Sequence, residues 1–152
     1  MTIKRKAAPR KRTMTKHAAG DGLVDRSMAT MPKVSLKSVR AGLGVNSVDR
    51  LREQLAVTQL DLGHYLGIAR QTLARRKQRG KLNAAESDRV VRYGKLLGRA
   101  TALLGDHAAA VTWLKTPAVA LDGETPLEQA TTELGAEHVF DLITRLEHGI
   151  AT

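Results

Sequence analysis

In Gln59-Leu60-Asp61-Leu62-Gly63-His64-Tyr65-Leu66-Gly67-Ile68-Ala69-Arg70-Gln71-Thr72-Leu73-Ala74-Arg75-Arg76, two short helical patterns meet at a glycine. Two helices that cross steeply through a short turn need a small residue where their backbones approach, and Gly63 stands at that position. The turn also needs a residue that tolerates positive φ, which Gly67 supplies. Leu62, Leu66, Ile68 and Leu73 are spaced to close a small core between the helices. The outer face of the second helix is left with Arg70, Gln71, Arg75 and Arg76. This is the pattern of a helix-turn-helix, whose second helix lies in the major groove of duplex DNA.

The first residues of such a helix reach base edges. Arg70 can donate bidentately to guanine and Gln71 to adenine, with Thr72 beside them. Arg75, Arg76, Lys77, Arg79 and Lys81 lie further along and suit phosphates, which position a protein on DNA without reading sequence. Gln59, opening the scaffold helix, is placed for a phosphate as well. The competing reading is an ordinary helix pair with a solvated basic face. Glycine placement, apolar spacing and local charge agree on DNA.

Outward from the motif the chain reads as helical, giving an all-α fold. Val48, Leu51 and Leu55 form one face of a helix starting near Ser47. Gly80 is a stop after the second motif helix, and Asn83-Ala84-Ala85-Glu86 is a capping box. It opens a long helix with Val90, Tyr93, Leu97, Ala100 and Leu104 in a stripe, which either packs on the protein's own core or forms part of a dimer interface. A short helix carries Val111, Trp113 and Leu114 before Thr116-Pro117 breaks it. Thr125-Pro126-Leu127-Glu128 starts another, which Gly135 is expected to end, and a last helix runs from about Ala136 to His148. No stretch alternates with period two, and no internal repeat is evident.

Charge divides the chain. The formal net charge is +10, yet residues 106–152 hold eight acids against Lys115 and Arg145. Residues 70–99 hold ten Lys/Arg against Glu86 and Asp88, and residues 1–40 hold eleven against Asp21 and Asp25. A basic segment attracts a polyanion, and an acidic one on the same chain argues for a second kind of partner. The expected organisation is a basic, disordered tail over 1–39, a DNA-binding domain over 40–105 and a helical interaction domain over 106–152. On that division, truncation after Gly105 spares DNA binding. With no cysteine, disulfide scaffolds, thiolate metal sites and Cys nucleophiles are excluded. No apolar run approaches the roughly 20 residues that span a bilayer. A soluble cytoplasmic protein is the default, with a transit peptide the alternative for the Arg-rich N-terminus.

From Arg40 to Ile150 the chain resembles the Xre/MbcA/ParS-type antitoxins of type II toxin–antitoxin systems. The residues that carry the likeness are Leu66-Gly67-Ile68, Thr72-Leu73-Ala74-Arg75-Arg76, Leu82, Glu86-Ser87 and Arg89. They continue with Ala110, Trp113-Leu114, Pro117, Ala120-Leu121, Thr125-Pro126-Leu127, Gly135, Leu142, Arg145-Leu146, Glu147 and Gly149. The resemblance implies a Cro-like helix-turn-helix domain joined to a small helical toxin-binding domain. It implies a RES-domain toxin partner that consumes NAD, whose active site the antitoxin blocks, and repression of the shared operon. Asp122, where the family often has glycine, departs from the pattern. The expected toxin-contact set is Trp113, Pro117, Leu121, Pro126, Leu142, Arg145, Glu147 and Gly149. For Trp113 the competing role is core packing; for Arg145 and Glu147 it is a solvated helix face. No cofactor, metal or membrane is implied, and the expected assembly is a homodimer on double-stranded operator DNA within a larger toxin–antitoxin complex.

Rival readings are an enzyme, a plain Xre-family repressor without a toxin, and an RNA-binding protein. None of the five histidines makes an HExxH-type face with a carboxylate, and no glycine-rich phosphate loop appears. Glu137-His138 with Asp141 can be drawn as an acid–base cluster, though an exposed helix end accounts for it. The shortage of aromatic residues counts against single-stranded RNA.

Overall fold

A computed structural model describes residues 34–150; the tail expected over 1–39 lies, up to residue 33, outside the described residues. Eight α-helices follow in order: α1 Leu36–Ala41, α2 Asn46–Leu55, α3 Gln59–Leu66, α4 Arg70–Arg79, α5 Ala84–Leu104, α6 His107–Leu114, α7 Pro126–Gln129 and α8 Glu133–Glu147. A 3₁₀ turn, Val119–Leu121, precedes α7. Among the described residues there is no strand, only an isolated bridge between Gly44 and Lys81.

Most helix starts are written locally. Ser35, Thr58, Asn83, Asp106, Thr125 and Thr132 each accept a hydrogen bond from an amide three residues on, satisfying one of the donors a helix start leaves unpaired. Asn83 and Glu86 close the full capping box. Two boundaries differ from expectation. The Ser35 cap starts α1 inside the stretch expected to be tail. Gly135, expected to end a helix, sits in the first turn of α8, because Thr132 caps that helix three residues earlier. Glycine is needed there for space: a Cβ would collide with the carbonyl oxygen of Gln129, where α7 ends.

A single core runs through both charge zones. Val48, Leu51, Leu55, Leu62, Leu66, Ile68 and Leu73 from the first helices join Leu114, Leu127, Val139, Leu142 and Ile143 from the last. Between them lies α5, which packs on α1, α2 and α3 and also on α6 and α8. Its Val90, Tyr93, Leu96, Leu97 and Ala100 are buried. The stripe read as either core or dimer face is therefore core, with Leu104 alone exposed.

Polar struts join the same two zones. The buried Tyr93 hydroxyl donates to the Leu127 carbonyl at 3.0 Å. Burial pushes this phenol well above its usual pKa, so it stays a protonated donor. The Lys115 Nζ donates to the Ala56 carbonyl at 2.6 Å, and the His107 ring meets the Gln54 carbonyl at 3.0 Å. Both carbonyls end α2, where no following turn can satisfy them.

The shared core argues against the expectation that truncation after Gly105 spares DNA binding. Removal of α6–α8 would uncover the buried side of α5 and free the end of α2. The fragment ending at Gly105 is expected to lose the cooperative thermal transition by circular dichroism and with it specific DNA binding. Ile143→Ala in the full chain is expected to cost about 2–5 kcal/mol in one transition shared by all helices. Two separable transitions would contradict a common core.

Candidate DNA-contact helix and partner-binding face

The helix-turn-helix is built by α3 and α4. Gly67 caps α3 in the left-handed region at φ 60°, and its N–H is satisfied by the Gly63 and His64 carbonyls. The Ile68 N–H donates to the Gly63 carbonyl at 2.9 Å, and a Cβ on Gly63 would stand 3.1 Å from the Ile68 oxygen. The spacing predicts a close approach to α4 itself; at Gly63 it is to the backbone of the turn. Arg89 of α5 donates to the Leu66 carbonyl at 3.0 Å, tying the turn to the central helix.

The cations on α4 and beyond divide into two groups. Arg76 points back into the protein: its Nε donates to both carboxylate oxygens of Glu86, at 2.8 and 3.1 Å, and only 21% of its side chain is exposed. Lys77 meets Asp49 at 3.2 Å. Arg70, Arg75, Arg79 and Lys81 are exposed, and among the described residues none has a carboxylate within salt-bridge distance. Arg76, expected on a phosphate, is thus already engaged, because Glu86 sits beside it at the start of α5. Lys77 is partly neutralised.

Gln71, Arg75 and Gln78 recur at four and three residues, which places them on one exposed stripe of α4. Gln78 was missed by sequence reasoning, although the same spacing from Gln71 would have found it. Thr72 is half-buried and accepts from Arg75 at 3.4 Å. The N-cap of α4, Ala69, makes no side-chain cap, so the first amides of this helix point outward beside Arg70. A cleft of about 920 Å³ runs along α3 to the start of α4, with Gln59 and Arg70 both on its wall. His64 and Glu128, 3.1 Å apart, also line it.

Glu86 governs how α4 is held. Burial, the largest influence on its carboxyl, acts to raise the pKa. The hydrogen bonds from Arg76 and the Asn83 N–H, with the charges of Arg76 and Arg89, outweigh it and hold Glu86 below the usual glutamate range.

The expected toxin contacts divide likewise. Leu121, Pro126 and Leu142 are buried in the core and cannot meet a partner, because each apolar side chain is already covered by its own fold. Trp113 is half-buried against the core, whereas Pro117, Arg145, Glu147 and Gly149 are exposed. Glu147 pairs with Arg99 at 3.0 Å. Exposed apolar residues of this half are Val119, Leu134, Leu146 and Ile150, of which sequence reasoning missed Val119 and Leu134. Among the described residues no group of three or more His, Asp or Glu side chains is placed to hold a metal ion, and no helix is long and apolar enough to cross a membrane.

Comparison with known proteins bears on both halves. Residues 35–93 match the family described as the antitoxin Xre-like helix-turn-helix domain. Residues 99–149 match the antitoxin Xre/MbcA/ParS C-terminal toxin-binding domain. The gap between the two matches falls inside α5. The chain is 32% identical to Antitoxin Xre of Yersinia enterocolitica over 124 residues, covering 80% of this chain and 84% of that protein. It is 35% identical to Antitoxin Xre of Photorhabdus laumondii over 113 residues, covering 73% and 76%. Antitoxin Xre of Pseudomonas putida is 27% identical over 109 residues, covering 71% and 67%.

The depressed Glu86 pKa sets a pH dependence. A carboxyl that ionises more readily folded than unfolded contributes stability above its unfolded pKa, and that stability fades as pH falls through the folded value. Glu86→Gln is therefore expected to lower stability at pH 7 by about 1.5–3 kcal/mol and to flatten the loss on acidification below the ordinary glutamate range. Urea titrations from neutral to strongly acidic pH measure both effects. An unchanged acid limb would remove Glu86 from this role.

Proposed function

This chain belongs to the Xre/MbcA/ParS antitoxin family, and we propose that it neutralises a RES-type, NAD-consuming toxin while repressing its own operon through α4. Membership covers a helix-turn-helix domain and a toxin-binding domain, and so indicates a non-enzymatic regulator with a toxin partner and DNA. The observation that carries the DNA reading is the set of exposed cations on and just after α4 that meet no carboxylate among the described residues, against the acidic C-terminal segment.

The proposed interface places Arg70 and Gln71 at base edges, with Arg75, Arg79 and Lys81 on phosphates and Gln59 on the flanking backbone. Arg76 and Lys77 act indirectly, by fixing the pose of α4. A homodimer reading two half-sites is the assembly such a motif favours. The proposed domain division places DNA contact before the middle of α5 and toxin contact after it. Neutralisation proceeds by occlusion: the toxin's active site is covered, and no chemistry is asked of the antitoxin.

Affinity for the operon's own promoter is expected to fall about 10³-fold or more between roughly 50 and 200 mM salt if a dimer makes six or more phosphate contacts. Salt-indifferent binding in gel shifts would contradict the interface. Arg70→Ala and Gln71→Ala should each cost about 1–3 kcal/mol and relax base preference. Arg76→Ala should instead lower stability and leave base preference unchanged. For the toxin reading, the adjoining gene's product is expected to arrest growth and deplete NAD when expressed alone, and to do neither when co-expressed with this chain. A harmless neighbour would favour a repressor without a toxin.

A further inference from the structure

Within the half of the chain that matches a toxin-binding domain, two of the exposed apolar side chains lie on elements that bound a common cleft. Val119, in the 3₁₀ turn, is 97% exposed, and Leu134, in the first turn of α8, is 63% exposed. A single exposed apolar residue needs no partner, but the turn and α8 pack against each other, so the two together offer a surface that one partner can cover. Beside Val119 lies a cleft of about 320 Å³, bounded on the 3₁₀-turn side by Ala120, Leu121 and Asp122 and on the α8 side by His138, Asp141 and Arg145.

The α8 wall is regular. Leu134, His138, Asp141 and Arg145 recur at four, three and four residues, so they form one stripe along the helix. The buried face of α8, Ala136, Val139, Leu142 and Ile143, is turned into the core. Leu134 and Val119 are thus apolar positions on the two elements that bound a polar cleft.

The charges choose between the partners. Among the described residues, Asp122, Asp141 and Arg145 have no ion-pair partner within 4 Å. Two carboxylates against one guanidinium, within a segment holding eight acids and two bases, repel a phosphate backbone. They suit a protein surface that presents an apolar side chain flanked by lysine or arginine. Asp122 also holds a left-handed backbone at φ 56°, a conformation disfavoured for any side chain but tolerated by Asp.

We propose that the toxin docks on this surface, with Val119 and Leu134 as apolar anchors and Asp122 and Asp141 receiving basic side chains of the toxin. The assignment rests on the toxin-neutralising reading above and deepens it by naming the face. It replaces the buried Leu121, Pro126 and Leu142 as contact residues and keeps Arg145.

The test uses the full chain co-expressed with the adjoining gene's product. Val119→Ser with Leu134→Gln removes the anchors at positions the core does not use. Asp122→Asn with Asp141→Lys removes one charge and reverses the other on exposed side chains, Asn being able to keep the left-handed backbone that Asp122 holds. Each double variant should bind that protein about tenfold or more weakly, as loss of an interface anchor does. Promoter binding and the melting temperature should match the parent chain. The charge-altered pair should lose most at low salt, where steering counts. Parental affinity in both double variants, with the parent chain itself binding, would overturn the docking face and leave the toxin reading standing. Loss of promoter binding with toxin binding intact would make the face a DNA contact and overturn it too. Failure of the parent chain to bind the protein at all would remove the toxin reading, and this assignment with it.

Discussion

Two interaction surfaces on so short a chain have to share one interior. A segment as short as the acidic one after Gly105 buries little core of its own, and it shares the interior of the helices before it. The solution is α5, which packs on α1, α2 and α3 and also on α6 and α8. The buried hydroxyl of Tyr93, reaching the carbonyl of Leu127, ties the shared helix to the C-terminal elements at mid-length. Everything on the surface is held in place from this interior.

The same economy applies to charge. Arg76 and Glu86 neutralise each other where α4 meets α5, so the recognition helix keeps its pose before any DNA is present. A side chain already held needs less ordering on binding, which favours affinity without adding contacts. Lys77 on Asp49 braces the same helix from α2. The cations left outward are then those that meet no carboxylate among the described residues.

Much of this was legible in the residues themselves. The core of the helix-turn-helix, the role of Gly67 and the capping box at Asn83 depend on neighbours three to seven positions apart, and local pattern reads such distances well. What failed depends on distance. Arg76 looked like its neighbours on a basic helix, and only the turn at Gly80 brings Glu86 beneath it. Leu121, Pro126 and Leu142 are apolar whether they face their own core or a partner, and periodicity does not say which. Gly135 read as a stop because glycine usually is one; here the nearby Gln129 carbonyl demands it, while the Thr132 signal one turn earlier went unused.

A continuous helix joining two functional halves also fixes their relative phase. Each residue of an α-helix advances the axis by about 1.5 Å and turns it through about 100°. An insertion of one residue in α5 would swing the C-terminal elements around the rod, away from the faces that now seat them. The two halves can therefore be joined in this arrangement only if α5 keeps both its length and its register.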